Sequence, residues 1–183
     1  MKQKQWLSVL VALFLSTASF AQTFPTPEFT ARPYSLLADM TLRELERAEA
    51  KVDLKLKGGG YGGSEMYYTV FSEQSTVRYP KASLPRLVIK VDGGEDPADF
   101  VTLSVGSAKK GKRSFLQSSS SMYGKARDVS GSFVKLEFRK IQDGLYEIIL
   151  PASIAPSEYA FMPIADGKAT STGIKISCFG IDQ

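Results

Sequence analysis

Short runs in which apolar and polar residues alternate fill most of the chain after residue 65, with turn-forming residues between them. A period of two puts every second side chain on one face, which is typical of a half-buried β-strand. The candidate strands cover residues 66–71, 76–79, 87–91, 101–105, 113–117, 133–139, 145–150, 158–162 and 174–179. Such a series, without intervening helices, predicts a mainly β protein with an antiparallel β-sandwich rather than βαβ units.

The clearest strand pair lies in residues 134–150. From Val134 to Arg139 apolar residues alternate with charged ones, so one face of this sheet meets water, as is common in antiparallel sheets. Asp143-Gly144 separates this run from the apolar run of residues 145–150, and an Asp-Gly pair between two strand patterns is a strong hairpin signal. We expect these two strands to pair.

One segment before the sheet favours a helix. Thr41 and Glu44 have the spacing of a capping box, and five apolar residues then recur on one helical face: Leu42, Leu45, Ala48, Val52 and Leu56. Five glycines in residues 58–63 end the pattern. We therefore expect one N-terminal helix over residues 41–57, inside a single domain of residues 39–183. The alternation in residues 52–57 is also typical of a strand, and that alternative stays open.

The first 21 residues have the order of a secretory signal peptide. Lys2 and Lys4 precede a short apolar run, and small residues stand at Ser19 and Ala21. No cysteine follows them to carry a lipid, so the sequence predicts a soluble periplasmic or secreted protein without a membrane span. Residues 22–38, with three prolines, are predicted to form an extended leader.

The composition of the chain limits the kinds of catalysis and metal binding that it can support. The chain has no histidine, so the usual general base of Ser-His-Asp and Cys-His catalysis is missing. A single cysteine, Cys178, cannot supply a zinc site or an intramolecular disulfide. Removing residues 1–21 leaves 21 basic against 19 acidic residues, a net charge of +2, which gives no indication of nucleic-acid binding.

Two charged segments are candidate binding sites. The acidic loop contains Asp92, Glu95, Asp96 and Asp99, whose carboxylates could gather around calcium, although Gly-Gly and Asp-Pro pairs also favour a plain solvated turn. The basic segment contains Lys109, Lys110, Lys112 and Arg113, which could bind an anionic group. The alternative for this segment is a charged hairpin tip that keeps a sheet edge from pairing with another chain. No other cofactor is indicated.

The segment from Leu150 to Phe161 resembles a corner of immunoglobulin-like and fibronectin-like sandwiches, in which a proline-led turn precedes a tyrosine that enters the next strand. The resemblance implies that Tyr159 packs on the core while its hydroxyl bonds to the backbone of the corner. It concerns architecture and carries no activity. In the last strand pattern, Cys178 shares a face with Ile174 and Ile176, so we expect a buried thiol.

These observations favour an exported, non-enzymatic binding module for an envelope or extracellular component, either a protein or a glycan. Two alternatives remain open from the sequence. One is a secreted hydrolase that uses carboxylates or a Ser-Lys pair, and the other is a structural subunit of an envelope assembly. The sequence does not indicate an oligomeric state.

The signal peptide leads to the first prediction. The exported protein should begin at Gln22 and carry no acyl chain, because the cleavage-site residues Ser19 and Ala21 are small and no cysteine follows. Intact-mass spectrometry of the exported product measures this directly. A product that retains residues 1–21, or that carries a lipid mass, would contradict it.

Overall fold

A computed structural model describes residues 24–164 and 173–183. The signal peptide predicted for residues 1–21 lies outside the described residues. Thirteen strands follow one another along the described chain: β1 (Pro33–Leu36), β2 (Leu42–Glu44), β3 (Glu46–Leu56), β4 (Ser64–Val70), β5 (Arg78–Pro80), β6 (Arg86–Lys90), β7 (Val101–Lys109), β8 (Lys112–Ser120), β9 (Phe133–Val134), β10 (Glu137–Gln142), β11 (Leu145–Ile149), β12 (Ser157–Pro163) and β13 (Ile174–Asp182). Helical geometry within the described ranges is confined to single turns of 3₁₀-helix at Gly58–Gly60, Lys81–Ser83, Pro97–Asp99 and Ser130–Ser132.

The strands form two sheets, and the mainly β, antiparallel character predicted from the alternation is confirmed. The smaller sheet has five antiparallel strands in the order β10-β11-β6-β1-β2. The predicted hairpin at Asp143-Gly144 joins β10 to β11, with Gly144 at a positive φ of 67°. In the larger sheet, the strands also pair antiparallel, apart from a short parallel pairing of β5 with β13.

The larger sheet closes on itself. Its strands run in the order β12-β13-β3-β4-β8-β7, and β7 pairs back with β12 through residues 101–106. The result is a closed barrel of six antiparallel strands, whereas the sheets of a simple sandwich stay open. Closure gives every barrel strand one face toward the interior and one face toward the outside.

The helix predicted over residues 41–57 is wrong. The segment forms β2 and β3 instead, and β3 pairs with β4 on one side and with β13 on the other. From Arg47 to Lys57 charged and apolar residues alternate without a break, so the strand alternative for residues 52–57 is correct and extends further toward the N-terminus. The segment forms a strand despite its capping-box spacing and helical apolar period, because two neighbouring strands supply hydrogen-bond partners for its backbone.

The region predicted as an extended leader contributes a strand. Residues 33–36 form β1, which lies between β2 and β6 and is buried along its length. The hydroxyl of Tyr79 donates a hydrogen bond of 2.9 Å to Ser35 Oγ, which fixes β1 to the core. This part of the chain is therefore integral to the five-stranded sheet.

Large and small side chains share the barrel interior. Tyr68, Phe115, Met162 and Ile176 pack there together with Cys178 and the small residues Ala48, Ala50 and Ala160. Gly106 is one of the places where only glycine fits, because a Cβ atom would lie 2.6 Å from a ring carbon of Phe115. Cys178 is completely buried, as its strand pattern predicts, and burial raises the pKa of its thiol to about 12.

A second core lies between the outer wall of the barrel and the five-stranded sheet. Aromatic rings from β12 and β13 dominate it: Phe179 stacks against Tyr159 at 5.4 Å and against Phe161 at 5.8 Å between ring centroids. Tyr159 is buried, and its hydroxyl donates a 2.6 Å hydrogen bond to the carbonyl oxygen of Ala155. The predicted environment of Tyr159, with the ring on the core and the hydroxyl on the corner backbone, is thus confirmed.

Substitution of Tyr159 separates the contribution of its hydroxyl hydrogen bond from that of its stacked ring. Tyr159→Phe removes only the hydrogen bond to Ala155 and should lower the free energy of unfolding by about 0.5–1.5 kcal/mol. Tyr159→Ala also removes the stacked ring and should cost about 3–5 kcal/mol. Denaturant titration measures both, and Tyr123→Ala, at an 81% exposed tyrosine, is the control that should change little. Equal stability of all three variants and the parent would contradict the role of the corner.

Candidate functional site

The hairpin that joins β7 to β8 carries the basic segment predicted from the sequence. Lys109 pairs with Lys112 across the hairpin, and Lys110 and Gly111 form its two-residue turn with φ values of 55° and 77°. A turn with both central residues at positive φ usually has Asn or Gly first, so a lysine at this position is uncommon. Glu73 Oε1 accepts a 2.5 Å hydrogen bond from the backbone N–H of Gly111 and holds the turn in place.

A cavity of about 320 Å³ opens beside this hairpin on the outer face of the barrel. Its lining consists of four lysines, two serines and a tyrosine: Lys55, Lys109, Lys110, Lys112, Ser107, Ser114 and Tyr67. No carboxylate belongs to this lining. Within the described residues, the three hairpin lysines form no ion pair, so their charges are available to an incoming anion.

Strand register explains how distant residues meet at this cavity. Ser107 and Ser114 are direct partners on β7 and β8, and Tyr67 lies on β4, the next strand in the barrel. Lys55 comes from β3, and its Nζ lies 4.2 Å from the centroid of the Tyr67 ring. Alternate residues of neighbouring antiparallel strands share a face, so all these side chains project outward together.

The structure divides the predicted basic segment. It brings Lys109, Lys110 and Lys112 to one cavity, but Arg113 points the opposite way and is completely buried in the barrel. Four residues of the lining were missed by the sequence analysis: Lys55, Tyr67, Ser107 and Ser114. Ser107 and Ser114 flank the basic segment on β7 and β8. No linear signal could have found Lys55 and Tyr67, because they lie more than 40 positions before the hairpin and reach it only through the barrel register.

Arg113 binds two glutamates at one end of the barrel interior. Its Nη2 donates a 2.8 Å hydrogen bond to Glu46 Oε1, and its Nη1 lies 3.0 Å from Glu46 Oε2 and 3.2 Å from Glu158 Oε2. Ser75 Oγ donates a 2.5 Å hydrogen bond to Glu46. Arg78 binds the other oxygen of Glu158. The cluster therefore connects β3, β5, β8 and β12.

The electrostatics of this cluster favour the ionised form of Glu46. Burial alone would raise the pKa of Glu46, but hydrogen bonds from Arg113 and Ser75 outweigh it, so the pKa lies below its ordinary value. Hydrogen bonds that Arg78 donates to Asp182 and Glu158 raise the pKa of its guanidinium. A general acid needs a raised carboxyl pKa, and Glu46 has the opposite shift. The arrangement is that of an ion-pair network.

The acidic loop places two of its four carboxylates in backbone hydrogen bonds. Glu95 Oε2 accepts from the N–H of Asp92 at 3.1 Å, and Asp96 Oδ1 accepts from the N–H of Ala98 at 2.9 Å, where it caps the 3₁₀ turn of Pro97–Asp99. Across the described ranges, no three histidine, cysteine or carboxylate side chains come close enough together to hold a metal ion. Calcium binding by Asp92, Glu95, Asp96 and Asp99 stays a prediction.

The cavity contains both serines and lysines, as a hydrolase with a Ser-Lys pair would require. Ser107 and Ser114 lie among lysines, but Ser114 Oγ bonds to Thr69 Oγ1 at 3.3 Å, and no serine of the described chain bonds to a lysine Nζ. A serine nucleophile needs its base within hydrogen-bond reach. The cavity therefore offers positive charge to a ligand, with no activated nucleophile in evidence among these residues.

Comparison with known proteins adds no relative. No protein-family model matches the chain, and searches of the curated proteins and of the solved structures found no match. In the part of the chain that the structure describes, no helix has the length and apolar character needed to cross a membrane. The assignment of function rests on the geometry of the chain's own residues.

Removal of Arg113 tests the buried cluster. Arg113→Met should lower the free energy of unfolding at neutral pH by about 3–5 kcal/mol, because it leaves the largely buried Glu46 without its cation and removes one of the two arginines that bind the buried Glu158. The folded-state pKa of Glu46 is depressed, so its stabilising contribution is present above its ordinary pKa and is lost as pH falls through the folded-state value. The difference between parent and variant should therefore shrink under acid.

Denaturant titrations at neutral and acidic pH measure both effects. The matched control is Arg127→Met, which removes an exposed arginine whose Nη2 donates a hydrogen bond to the carbonyl oxygen of Gly62. A cost for Arg113→Met no larger than that of the control, or a cost that grows as the pH falls, would contradict the role assigned to the cluster.

Proposed function

We propose that the protein is an exported, non-enzymatic binding protein that holds an anionic group of an envelope or extracellular component at the lysine cavity. The observation that supports this proposal is the convergence of Lys55, Lys109, Lys110 and Lys112 on one cavity without a carboxylate in its lining. Like charges at close range repel one another, and an anionic ligand relieves that repulsion.

The alternative, a charged hairpin tip that keeps a sheet edge from pairing with another chain, explains less of the arrangement of the lysines. Protection of an edge needs only one or two charged side chains along the edge strand. Here the cations come from β3, β7 and β8 and from the turn between the last two, and the turn adopts a conformation that is uncommon for lysine. The hydrogen bond from Gly111 to Glu73 limits the mobility of the turn, so the backbone that carries the lysines is held in position before a ligand arrives.

An acidic glycan is the ligand class that suits this lining best. Ammonium groups bind sulfate, phosphate and carboxylate, while the hydroxyls of Ser107 and Ser114 can bond to ring or hydroxyl oxygens. The volume is at the lower end of the range for small-molecule sites, which suits a short acidic segment of a larger chain. The predicted signal peptide supports an extracytoplasmic setting, where such glycans occur on envelopes and surfaces.

The predicted relation to immunoglobulin-like or fibronectin-like sandwiches stays part of the proposal. Two features support it: the packing of the five-stranded sheet on the barrel wall, and the hydroxyl of Tyr159 bound to the corner backbone at Ala155. In such domains, ligands are commonly held by loops and hairpins on a rigid scaffold, as the lysine hairpin is here.

Paired substitution of two hairpin lysines tests the proposal. Lys109→Gln/Lys112→Gln should weaken binding of a sulfated oligosaccharide by about tenfold or more, because two charge-assisted contacts are lost. The control, Lys81→Gln/Lys135→Gln, removes the same charge from two exposed lysines outside the cavity. Isothermal titration calorimetry at low and high salt, with the desulfated oligosaccharide alongside, measures the effect.

The expected pattern is strong binding of the sulfated probe by the parent and the control, a loss in the cavity variant, and weakening with salt. The proposal fails if the desulfated probe binds equally well. It also fails if the cavity variant and the control lose affinity to the same extent, because binding would then follow overall charge rather than the cavity.

A further inference from the structure

Strand β3 is longer than the neighbour that covers one of its edges. It runs over Glu46–Leu56, but β13 pairs only with Glu46 to Ala50. On the other edge, β4 pairs with residues 51–56 in an unbroken register. Among the described residues, the second half of β3 therefore has one open edge.

The backbone hydrogen bonds show which residues offer their N–H and C=O groups at that edge. Lys57 directs both groups toward the β4 side, because its N–H bonds to Gly63 O and its carbonyl accepts from Gly62 N. These groups alternate in direction along a strand, so Lys55, Asp53 and Lys51 also face β4. Val52, Leu54 and Leu56 consequently present their backbone groups to the open edge.

The same three residues expose apolar side chains. Val52 is 41% exposed, Leu54 65% and Leu56 66%, and together they form an apolar row on the face that continues the barrel interior. Edge strands are usually protected by charged side chains, a proline, a bulge or an inward-pointing charge. The charges of residues 51–56 lie on the outer face and are of both signs, so a second copy of the strand can pair with them rather than be repelled. Residues 51–56 contain no proline, and their pairing with β4 contains no bulge.

We propose that this edge of β3 pairs antiparallel with the same edge of a second copy of the chain, about a two-fold axis at Leu54. Asp53 of each copy then lies opposite Lys55 of the other, so two opposite-charge pairs form on one face. On the other face, each Val52 lies opposite a Leu56, and the two Leu54 side chains meet. Six backbone hydrogen bonds connect residues 52, 54 and 56 across the axis.

Charge disfavours the registers in which the axis lies at either adjacent residue. An axis at Asp53 places the two Asp53 side chains against each other and Lys51 against Lys55. An axis at Lys55 places the two Lys55 side chains against each other. An axis at Val52 would pair Asp53 with Lys51, but it would also need Ala50, which already pairs with Ile174 of β13. Only the axis at Leu54 pairs each Asp53 with Lys55. The axis at Leu54 also brings Lys51 of each copy near Lys57 of the other, at the two ends of the paired segment. There Glu65 already binds Lys57 in a 2.5 Å ion pair.

Another occupant from this chain fits the edge less well. Residues 165–172 precede β13 and have the sequence Ala-Asp-Gly-Lys-Ala-Thr-Ser-Thr. This segment has no large apolar side chain with which to cover Val52, Leu54 and Leu56. A second β3 supplies three such side chains in matching positions, and the pairing does not depend on any ligand of the lysine cavity.

Charge reversal at the two paired positions provides the test. Asp53→Lys places the introduced lysine opposite Lys55 twice, and Lys55→Asp places the introduced aspartate opposite Asp53 twice. Each variant alone should therefore dimerise about tenfold more weakly than the parent. Mixed in equal amounts, the two variants should associate again, because every lysine at these positions then faces an aspartate. Glu28→Lys and Lys81→Asp are controls that carry the same charge changes at exposed positions elsewhere.

Sedimentation equilibrium over a range of concentrations measures the association, and circular dichroism confirms that each variant is folded. The expected result is a dimer for the parent and for both controls, self-association about tenfold weaker for each of the two single variants, and a heterodimer for their mixture. A monomeric parent at every concentration overturns the proposal, whether the chain itself or a different partner covers the edge. Failure of the mixture to associate while the parent is dimeric overturns the register.

Discussion

Closure of the larger sheet is the constraint on which the other features depend. Six antiparallel strands in a ring leave no edge over most of their length, and each strand then alternates between a packed interior and an outer surface. On β8 this alternation separates two neighbouring basic residues. Lys112 projects outward to a cavity of positive charge, and Arg113 projects inward to Glu46 and Glu158. A shift of one residue in the register of β8 would exchange these two environments.

The two positive charges have different physical consequences. A buried ion pair is weak evidence for net stability, because desolvation opposes the attraction, but a buried charge without its partner is very unfavourable. Arg113 can therefore penalise any register of β3, β8 and β12 that separates it from its glutamates. Lys112 has no carboxylate among the cavity residues and is only partly buried, so it costs little to the fold and keeps its charge for a ligand.

How much could be predicted from the sequence depended on how local each signal was. The hairpin at Asp143-Gly144 and the environment of Tyr159 rest on a few neighbouring residues, and both were predicted. Strand β3 was predicted only as an alternative for residues 52–57, because its apolar residues satisfy both a helical period and strict alternation, and only pairing with β4 and β13 decides between them. Barrel closure and the arrival of Lys55 at the hairpin depend on contacts between distant strands, which a single sequence does not encode in any readable spacing.

The second half of β3 connects the proposed binding site with the proposed pairing edge. Lys55 lies on the outer face and lines the cavity, while Leu54 beside it lies on the apolar face. Opposite residues of an antiparallel pair project to the same face, so two copies joined at Leu54 would present both lysine cavities on one side of a continuous sheet. A repeating acidic glycan could then occupy the two cavities together. Because the second contact would be intramolecular, a modest affinity at each cavity would be sufficient for firm attachment to an extended chain, and a short oligosaccharide would gain nothing from the pairing.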